Sequence, residues 1–470
     1  MIYKGYEAVV GIEVHVELKT KEKAFCTCSA EYGGEMNSKC CPVCLGMPGA
    51  LPVVNPEAVK LAVKAGLALG CETSEISRFD RKHYFYPDLP KGYQITQFYD
   101  PICKNGEVKI KTSMGEKTVR IERLHIEEDA GKLKRDGDLL IIDHNRCGVP
   151  LVEIVTYPDM IGSEEAMAFV NELRRTLLFA EVSDCKMNEG SLRCDVNVSV
   201  RPVGGTSLGR RCEIKNINSV SFIGKAIDSE LKRQTDIILS GGKIVTETRR
   251  FSETKGVSER MRDKETTADY KYIREPDILP LKTDREYVER VRGEMRALPC
   301  EIEAELIASG VKKEQAELIC SEPMFADCFE KVKLSASDIP AGANLFVSDV
   351  IPKMTSGDVY PSVEAFLQCL HMYLDGEVNI VSARELLKLC GKTGESPRDL
   401  AGKHGMFMLR DEWEIMRLVE EAAEECESAV REIKKGKLTA KKVIVGQVMK
   451  LSRGRAEPRA VNEAVDRYFQ

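Results

Sequence analysis

The sequence predicts an α+β protein, in which a mixed or antiparallel β-sheet domain with flanking helices precedes an all-helical domain and a small helical tail. Residues 12–18 and 192–200 alternate apolar and polar side chains, as half-buried strands do. From Tyr287 onward the chain has helical spacing and few β-branched runs. At about 150 residues per domain, the 470 residues suit three domains. We expect these domains at 1–285, 286–405 and 406–470.

The first predicted strand, residues 7–18, reads EAVVGIEVHVEL. Its alternation places Glu13, His15 and Glu17 on one face and the apolar residues on the other. Carboxylates beside an imidazole suit a hard cation or a proton transfer. A solvated sheet face is the alternative interpretation of this strand alone.

Later strands repeat the pattern. The segment LRCDVNVSV places Arg193 and Asp195 on one face, and RCEIKNIN does the same for Glu213 and Lys215. Between the first strand and these two, the apolar run VPLVEIV carries Glu153, whose burial is costly unless the carboxylate is paired or binds a metal. Magnesium prefers one or two carboxylates together with phosphate oxygens. The sequence therefore predicts a carboxylate-lined sheet face that binds magnesium and a polyphosphate.

The cysteines indicate a reducing compartment and one metal site. Seventeen cysteines accompany an N-terminus that has no basic leader followed by an apolar block, so we expect reduced thiols and a cytoplasmic protein. No apolar run approaches the ~20 residues of a membrane span. Cys41 and Cys44 form C-x2-C, and with Cys26 and Cys28 they predict a structural zinc site. Cys40 could replace Cys41, and buried free thiols are the alternative.

Three helices and two polar segments complete the N-terminal domain. The predicted helices span 56–69, 163–179 and 221–239. Residues 78–100 interleave basic and aromatic side chains, which suits phosphate contact and base stacking or, alternatively, a surface loop closed by its aromatics. Residues 246–280 are rich in arginine, including Arg249 and Arg262, and could close over phosphates.

The helical tail is electrically divided. Its first half is acidic, whereas residues 431–460 hold ten Lys or Arg against two Glu. A basic run on a chain of net charge −6 indicates a nucleic-acid interface, with a solvated helix face as the alternative. The residues predicted to contact nucleic acid are Lys441, Lys442, Lys450, Arg453 and Arg455.

Several motifs together resemble one family from residue 6 to the C-terminus. They include GIEVHVEL, CPVCLGMPGALPVVN, FDRKHYFYPDLPKGYQITQ, RLHIEEDAGK, NRCGVPLVEIV, EGSLRCDVNVSV and EIKNINS. The chain resembles the B subunits of the tRNA-dependent aspartyl/glutamyl-tRNA(Asn/Gln) amidotransferases. The resemblance implies a cradle-like α+β domain, a helical domain and a tail that contacts tRNA.

The resemblance also implies a two-part reaction. ATP phosphorylates the side-chain carboxylate of Glu or Asp misacylated on tRNA(Gln) or tRNA(Asn), and ammonia then displaces phosphate. The ammonia comes from glutamine on a partner amidase, the A subunit, while a small C subunit makes up the heterotrimer. Such an enzyme is a carbon–nitrogen ligase of protein biosynthesis. Whether Glu-tRNA(Gln), Asp-tRNA(Asn) or both serve as substrate stays open.

The resemblance assigns roles to individual residues. His15, Glu128 and Glu153 are implied magnesium ligands, with Glu127 as the alternative to Glu128. The second acidic set around the cation and the phosphates is Glu13, Asp195 and Glu213. We expect further contacts to ATP from Arg193, Lys215, Arg249 and Arg262, and structural zinc on the four cysteines.

Three positions depart from the family pattern: His83 replaces an expected Asn, Tyr157 replaces an expected Glu, and YIREPD stands for YFPEPD. None of them is a proposed ligand. Two other classes of function stay open at this point: a non-catalytic zinc-bearing RNA-binding protein and an ATP-dependent ligase of a free amino acid, which would need no basic tail.

Overall fold

The computed structural model describes residues 1–263 and 269–470, with 216, 262 and 263 described at the backbone only. The described chain forms two compact units, Met1–Leu298 and Pro299–Gln470. The first unit contains the β-structure, and the second is helical. The α+β class predicted from the sequence is therefore confirmed, whereas the three-domain division stays a prediction.

The strands of the first unit are short at its edges and long at its centre. They are β1 (Ile2–Tyr3), β2 (Tyr6–Glu17), β3 (Glu72–Thr73), β4 (Ile76–Ser77), β5 (Asp80–His83), β6 (Tyr93–Thr96), β7 (Cys103–Thr112), β8 (Gly115–Glu128), β9 (Lys132–Asp136), β10 (Leu139–Asp143), β11 (Pro150–Thr156), β12 (Met160–Ile161), β13 (Leu192–Pro202), β14 (Cys212–Ile217), β15 (Glu247–Ser252), β16 (Val257–Asp263), β17 (Ile273–Arg274) and β18 (Leu281–Lys282).

One large sheet organises this unit. Its strand order is β16-β15-β14-β13-β2-β11-β8-β7-β3, and β1 and β12 also pair with β2. Neighbouring strands are antiparallel except β14 and β15, which are parallel. The first long strand of the chain thus lies at the centre of the sheet. Smaller sheets pair β9 with β10, β4 with β18, and β5 with β6 and β17.

Helices cover one face of the large sheet. The helices of the first unit are α1 (Pro56–Ala68), α2 (Ser163–Phe179), α3 (Val220–Leu239) and α4 (Arg285–Gly293). Helix α1 packs against β8, α2 against β7, and α3 against β13. The side chains of Ile12, Val14 and Val16 on β2 are fully buried in the resulting core. The polar alternate residues of β2 therefore point to the face that these helices leave open.

The three predicted helices of this unit are confirmed to within a residue or two at each end. Their starts follow local chemistry: the Asn55 side chain accepts a hydrogen bond from the Glu57 amide at α1, and Ser219 caps α3 through the Phe222 amide. Pro56 occupies the first turn of α1, where its missing N–H costs nothing.

The second unit is built from helices. They are α5 (Pro299–Ala308), α6 (Lys313–Ile319), α7 (Pro323–Lys333), α8 (Ile339–Leu345), α9 (Ile351–Ser356), α10 (Val363–Leu374), α11 (Ile380–Thr393), α12 (Pro397–Lys403), α13 (Glu412–Glu425), α14 (Glu427–Lys434), α15 (Lys441–Leu451) and α16 (Pro458–Tyr468). A π-helical turn spans Phe346–Val350, and a 3-10 turn spans Leu438–Ala440.

Helices α13 to α16 enclose a hydrophobic cluster of their own. Its fully buried members include Val419, Ile444, Val448 and Val461. The helical tail predicted from residue 406 thus has a core within the second unit. Throughout 1–263 and 269–470, no helix combines the length and apolar character that crossing a membrane requires.

Candidate active site

The register of the central strands gathers the polar residues into one place. On neighbouring strands, His15 lies opposite both Glu153 and Arg193, and Glu13 lies opposite Asp195. Residues that face each other across a strand pair point to the same side of the sheet. Five of the six residues predicted to form the catalytic set therefore share the open face: Glu13, His15, Glu153, Asp195 and Glu213.

The first cluster on this face consists of His15, Glu127 and Glu153, whose potential ligand atoms all lie within 4.8 Å of one another. His15 Nε2 is 3.4 Å from Glu127 Oε1 and 3.7 Å from Glu153 Oε2. Both carboxylates are buried, at 2% and 8% exposure. Two buried carboxylates and one imidazole form an oxygen-rich set suited to a divalent cation.

Glu127, and not Glu128, completes this cluster. Successive residues of a strand point to opposite faces, so Glu128 projects away from Glu127. The Glu128 carboxylate forms an ion pair with Lys91 and accepts a hydrogen bond of 2.9 Å from the Ile95 amide. The predicted ligand Glu128 is therefore replaced by its alternative, Glu127.

The two carboxylates of the cluster have pKa values that are shifted in opposite directions. Burial and the charge of Glu153 raise the pKa of Glu127. Burial would also raise the pKa of Glu153, but His125, His15 and Lys82 outweigh it and hold that pKa well below its usual range. His125 Nε2 lies 3.3 Å from Glu153 Oε2. Two imidazoles and the Lys82 ammonium thus surround the carboxylates of this cluster.

The second cluster consists of Glu13, Asp195 and Glu213, again with ligand oxygens within 4.8 Å of one another. Lys215 Nζ lies 2.5 Å from Asp195 Oδ2 and 3.7 Å from Glu213 Oε1. The Thr248 hydroxyl donates a 2.9 Å hydrogen bond to Glu213. The predicted contact residue Lys215 is therefore in the site, where it balances part of the negative charge.

Both clusters line one cavity of about 400 Å³. Its wall also carries the cations Lys82, Arg123 and Arg211 and the aromatic rings of Phe98, Tyr270 and Tyr272. Phe98 and Tyr272 stack with ring centroids 4.1 Å apart. His125 and Arg123 were not predicted from the sequence to lie in the site. Side chains alternate between the two faces of a strand, so counting back from Glu127 in steps of two along β8 would have placed His125 and Arg123 on the face of Glu127.

A second cavity of about 430 Å³ adjoins the first. Arg193 lines it, and its Nη2 donates a 2.8 Å hydrogen bond to Asp129 Oδ2. Arg146 Nε lies 3.3 Å from the same oxygen. The structure thus places Arg193 beside the first cavity and not in its lining.

Of the remaining two predicted ATP contacts, the structure describes the side chain of Arg249 only. Arg249 is 8% exposed and donates to Glu247 and to the Ser258 hydroxyl and carbonyl. On β15 it alternates with Thr248, which takes the cavity face. Arg249 is therefore corrected to a structural residue. The side chain of the other, Arg262, lies outside the described residues.

The four predicted cysteines converge. The Sγ atoms of Cys26, Cys28, Cys41 and Cys44 lie within 4.8 Å of one another, and those of Cys41 and Cys44 are 3.9 Å apart. A tetrahedral site with Zn–S bonds of about 2.3 Å needs sulfurs about 3.8 Å apart. The thiols therefore fit zinc, and Cys40 is not part of this group.

The surroundings of the cysteines favour the thiolate form at Cys44 alone: the hydrogen bond with Cys44 and burial raise the pKa of Cys26, and burial raises the pKa of Cys28 to about 11. A hydrogen bond from Cys26 lowers the pKa of Cys44 to about 4 against the opposing effect of burial, helped by the Cys41 amide and Lys23. Lys23 is fully buried, and its Nζ lies 3.8 Å from Cys44 Sγ. The turn that carries Cys41, Cys44 and Gly46, here called the cysteine knuckle, packs directly on Lys91, the ion-pair partner of Glu128. A Cβ at Gly46 would lie 2.5 Å from Lys91 Cγ.

The residues that depart from the expected motifs find partners. His83 Nδ1 lies 3.0 Å from the Lys271 carbonyl, and Arg274 pairs with Asp80 and Asp100 at 3.2 and 2.9 Å. These contacts fasten the segment that carries Tyr270 and Tyr272. The departures at His83 and Arg274 thus belong to the packing behind the aromatic wall, whereas the ring of Tyr157 lies against the Arg120 guanidinium at 4.8 Å.

The predicted nucleic-acid residues divide into two groups. Lys442, Lys450 and Arg453 are exposed on the tail. Lys441 instead pairs with Asp466 at 2.7 Å, and Arg455 donates to the carbonyls of Ser452 and Gly405. Lys434 and Lys435, which belong to the basic run but were not among the predicted contacts, are exposed beside α15.

The comparisons with known proteins agree with this geometry. The family model described as the GatB/GatE catalytic domain matches residues 8–289, and the model described as the GatB domain matches residues 327–468. The B subunit of the aspartyl/glutamyl-tRNA(Asn/Gln) amidotransferase of Ruminiclostridium cellulolyticum is 43% identical over 97% of this chain and 96% of the relative.

Two further relatives carry the same description. The protein of Caldanaerobacter subterraneus is 42% identical over 97% of this chain and 98% of its own length, and the B subunit numbered 2 of Clostridium acetobutylicum is 42% identical over 98% and 99%. With the family model covering more than half of the residues, the chain belongs to the GatB family, the B subunits of aspartyl/glutamyl-tRNA(Asn/Gln) amidotransferases.

Proposed function

We propose that the chain is the aminoacyl-kinase and amidating component of a glutamine-dependent tRNA amidotransferase that acts in translation in the cytoplasm. It activates the side-chain carboxylate of Glu on tRNA(Gln), of Asp on tRNA(Asn), or of both. It works with two partner subunits, an amidase and a small protein. We call them A and C because the relatives of this chain are designated B subunits.

The observation that carries this proposal is the shared cavity. Two groups of acidic residues, one of them with an imidazole, face one space together with Lys82, Arg123 and Lys215. Clustered carboxylates alone would repel a polyphosphate. A site that also holds cations and can bind Mg²⁺ accommodates both the metal and the phosphates of ATP.

The chemistry is one displacement followed by another. A carboxylate oxygen of the esterified amino acid attacks the γ-phosphorus of ATP, and the bond to the β-phosphate oxygen breaks to give an acyl phosphate and ADP. Ammonia then attacks the acyl carbon, phosphate leaves, and the nitrogen loses a proton to give the amide.

The described residues hold and orient these reactants. His15, Glu127 and Glu153 would hold Mg²⁺, with Glu13, Asp195 and Glu213 as the second acidic set. The ion, when bound, supplies positive charge to phosphate oxygens. Lys82 and Lys215 add fixed positive charge, because burial, which would lower the pKa of each, is outweighed by neighbouring carboxylates that raise it.

The cysteine knuckle and the tail have separate roles in this proposal. Four thiolates leave no open coordination position, so zinc at Cys26, Cys28, Cys41 and Cys44 would be structural. On the tail, the exposed basic residues Lys442, Lys450 and Arg453 suit contacts with tRNA phosphates.

The test is ATP hydrolysis by the heterotrimer reconstituted with the amidase and the small partner in Mg²⁺. We expect strong stimulation by Glu-tRNA(Gln) or Asp-tRNA(Asn), none by uncharged tRNA, and loss of activity with retained tRNA affinity in Glu153→Gln. Glu107→Gln, an exposed carboxylate on β7 outside both cavities, is the matched control. ATP hydrolysis that ignores charged tRNA would contradict the proposal, and tight tRNA binding without hydrolysis would indicate a non-catalytic RNA-binding protein.

A further inference from the structure

A row of polar side chains crosses the centre of the large sheet. Glu153 on β11 lies opposite His15 on β2 and opposite His125 on β8, so its carboxylate stands between two imidazoles on the open face. In the part of the chain that the structure describes, the first acidic cluster includes His15 and leaves His125 outside. The second imidazole thus stands beside a candidate metal ligand without belonging to the ligand group.

His125 contacts Glu153 through one ring nitrogen. Its Nε2 lies 3.3 Å from Glu153 Oε2 but 4.0 Å from Glu127 Oε2, so Glu153 is the nearer partner. The other nitrogen, Nδ1, is buried and has no hydrogen-bond partner among residues 1–263 and 269–470. A buried N–H group without an acceptor costs more than a bare lone pair, so the proton of the neutral ring belongs on Nε2. His125 is thus a hydrogen-bond donor to Glu153.

The two histidines differ in their exposure. The His15 side chain is 22% exposed and lines both cavities, whereas the His125 side chain is 5% exposed and forms part of the wall of the first cavity. A ring nitrogen that binds an ion carries no proton, so His15 cannot also donate from that nitrogen to Glu153. With an ion in the cluster, the imidazole that can still donate to this carboxylate is His125.

We propose that His125 is a positioning residue for the magnesium site, whose Nε2–H group holds one oxygen of Glu153 and leaves the other for the ion. The inference rests on the proposed function, because it concerns the support of the same metal site. Carboxylates that bind metals are themselves hydrogen-bonded, and losing such a partner weakens metal binding by about 10–100-fold. Donor and acceptor lie on adjacent strands, so the backbone register fixes their relative position.

Two other functions of His125 predict different results. As a metal ligand in place of His15, it would bind the ion through its own nitrogen. As a residue that only fills space on the sheet, it would contribute volume. Gln keeps an N–H donor near the position of Nε2, and Leu keeps much of the volume without a donor. Substitution by these two residues therefore separates the three functions.

The experiment measures the binding of Mn²⁺, as a spectroscopic substitute for Mg²⁺, to the reconstituted heterotrimer. Free Mn²⁺ is counted by EPR, Mg²⁺ competes in a second titration, and the site is identified as the one that Glu153→Gln removes. The variants are His125→Leu, His125→Gln and His125→Asn, whose amide reaches the position of Nδ1 instead of Nε2. His404→Leu, which changes an exposed histidine of the second unit, is the matched control.

We expect His125→Leu and His125→Asn to raise the dissociation constant for Mn²⁺ by about 10–100-fold. His125→Gln and His404→Leu should stay within about threefold of the wild type, which is less than the loss of one hydrogen bond to a charged group. At saturating Mn²⁺, pulsed EPR should detect a coupled nitrogen in His125→Gln but not in His15→Gln. If His125→Leu does not fold, His125→Asn and His125→Gln provide the same comparison.

Three results would overturn the inference alone. The first is Mn²⁺ binding by His125→Leu, or by His125→Asn in its place, as tight as that of the wild type. The second is a loss of affinity in His125→Gln as large as in His125→Leu, and the third is loss of the nitrogen signal in His125→Gln, which would make His125 the ligand. Mn²⁺ binding that Glu153→Gln leaves unchanged would instead refute the metal site of the proposed function.

Discussion

Replacing Glu127 by Gln should stabilise the metal-free protein and weaken its response to Mg²⁺. The oxygens of Glu127 and Glu153 lie within 4.8 Å of each other in a buried cluster. Two unit charges at that distance repel by about 3 kcal/mol at an effective dielectric constant of about 20. His15, His125 and Lys82 offset part of this repulsion, so the variant should gain about 1–3 kcal/mol without metal.

The assay is thermal unfolding at pH 8 in a chelator and again in Mg²⁺ with ATP. The pH matters because burial and the charge of Glu153 raise the pKa of Glu127, and protonation at lower pH would hide the repulsion. A gain of about 1–3 kcal/mol corresponds to a rise of about 2–6 °C in Tm for a unit of this size. The wild type should gain stability from Mg²⁺ and ATP, and Glu127→Gln should gain much less.

The prediction requires two opposite changes in Glu127→Gln: a higher stability in the chelator and a smaller stabilisation by Mg²⁺ with ATP. Glu107→Gln, the exposed control on β7, should change the free energy of unfolding by no more than about 0.5 kcal/mol in either condition. If Glu127→Gln lowers Tm in the chelator, Glu127 is held in place by favourable contacts within the protein. It would then not be a carboxylate that needs a cation, and the cluster would not be a metal site.

Three other changes test separate parts of the structure. Burial and the charge of Asp129 raise the pKa of Glu17 to about 7. Because this folded-state pKa exceeds the unfolded value of about 4.3, stability present below pH ~4.3 is lost as the pH rises through the folded-state value. Between about pH 4 and pH 7, the free energy of unfolding measured in urea should fall by up to about 4 kcal/mol in the wild type but not in Glu17→Gln, and an equal pH dependence in the two proteins would contradict the assignment. Cys28→Ser should retain less than one zinc per chain by elemental analysis, whereas equal zinc would exclude Cys28 as a ligand. Arg249→Met removes one of the cations that contact Glu230 and Glu247, while Arg233 still contacts both, and should lower the free energy of unfolding by about 1–3 kcal/mol in chemical denaturation. The KM for ATP of the folded enzyme should stay unchanged, and a raised KM would return Arg249 to the site.

The period-two pattern carried most of the site prediction. It placed Glu13 and His15 on one face of β2, and the same rule applied to later strands gave Asp195 and Glu213, which the structure brings together. Periodicity works here because one face of the sheet is covered by helices, so polar residues are tolerated on the other face alone. Glu153 was found by a different signal, the cost of a carboxylate within an apolar strand.

The failures have physical causes as well. Glu127 and Glu128 are adjacent acids on β8, and both are 2% exposed, so neither polarity nor burial separates them. Lys91, 37 residues earlier in the chain, takes up Glu128, and this contact exists only in the fold. The prediction that Arg249 contacts ATP failed for a similar reason. One of the carboxylates that pair with Arg249 is Glu230 on α3, and this contact also exists only in the fold.

The central position of β2 also determines how the protein emerges from the ribosome. Both long neighbours of β2 follow it by between about 130 and 200 residues, in β11 and β13. At a synthesis rate of about 5–20 residues per second, the ribosome completes these two strands about 10–40 s after β2. Throughout that interval the nascent chain exposes a strand of valines and an isoleucine without its partners. Nascent chains that end before residue 192 lack β13 entirely, so they should aggregate or remain bound to chaperones.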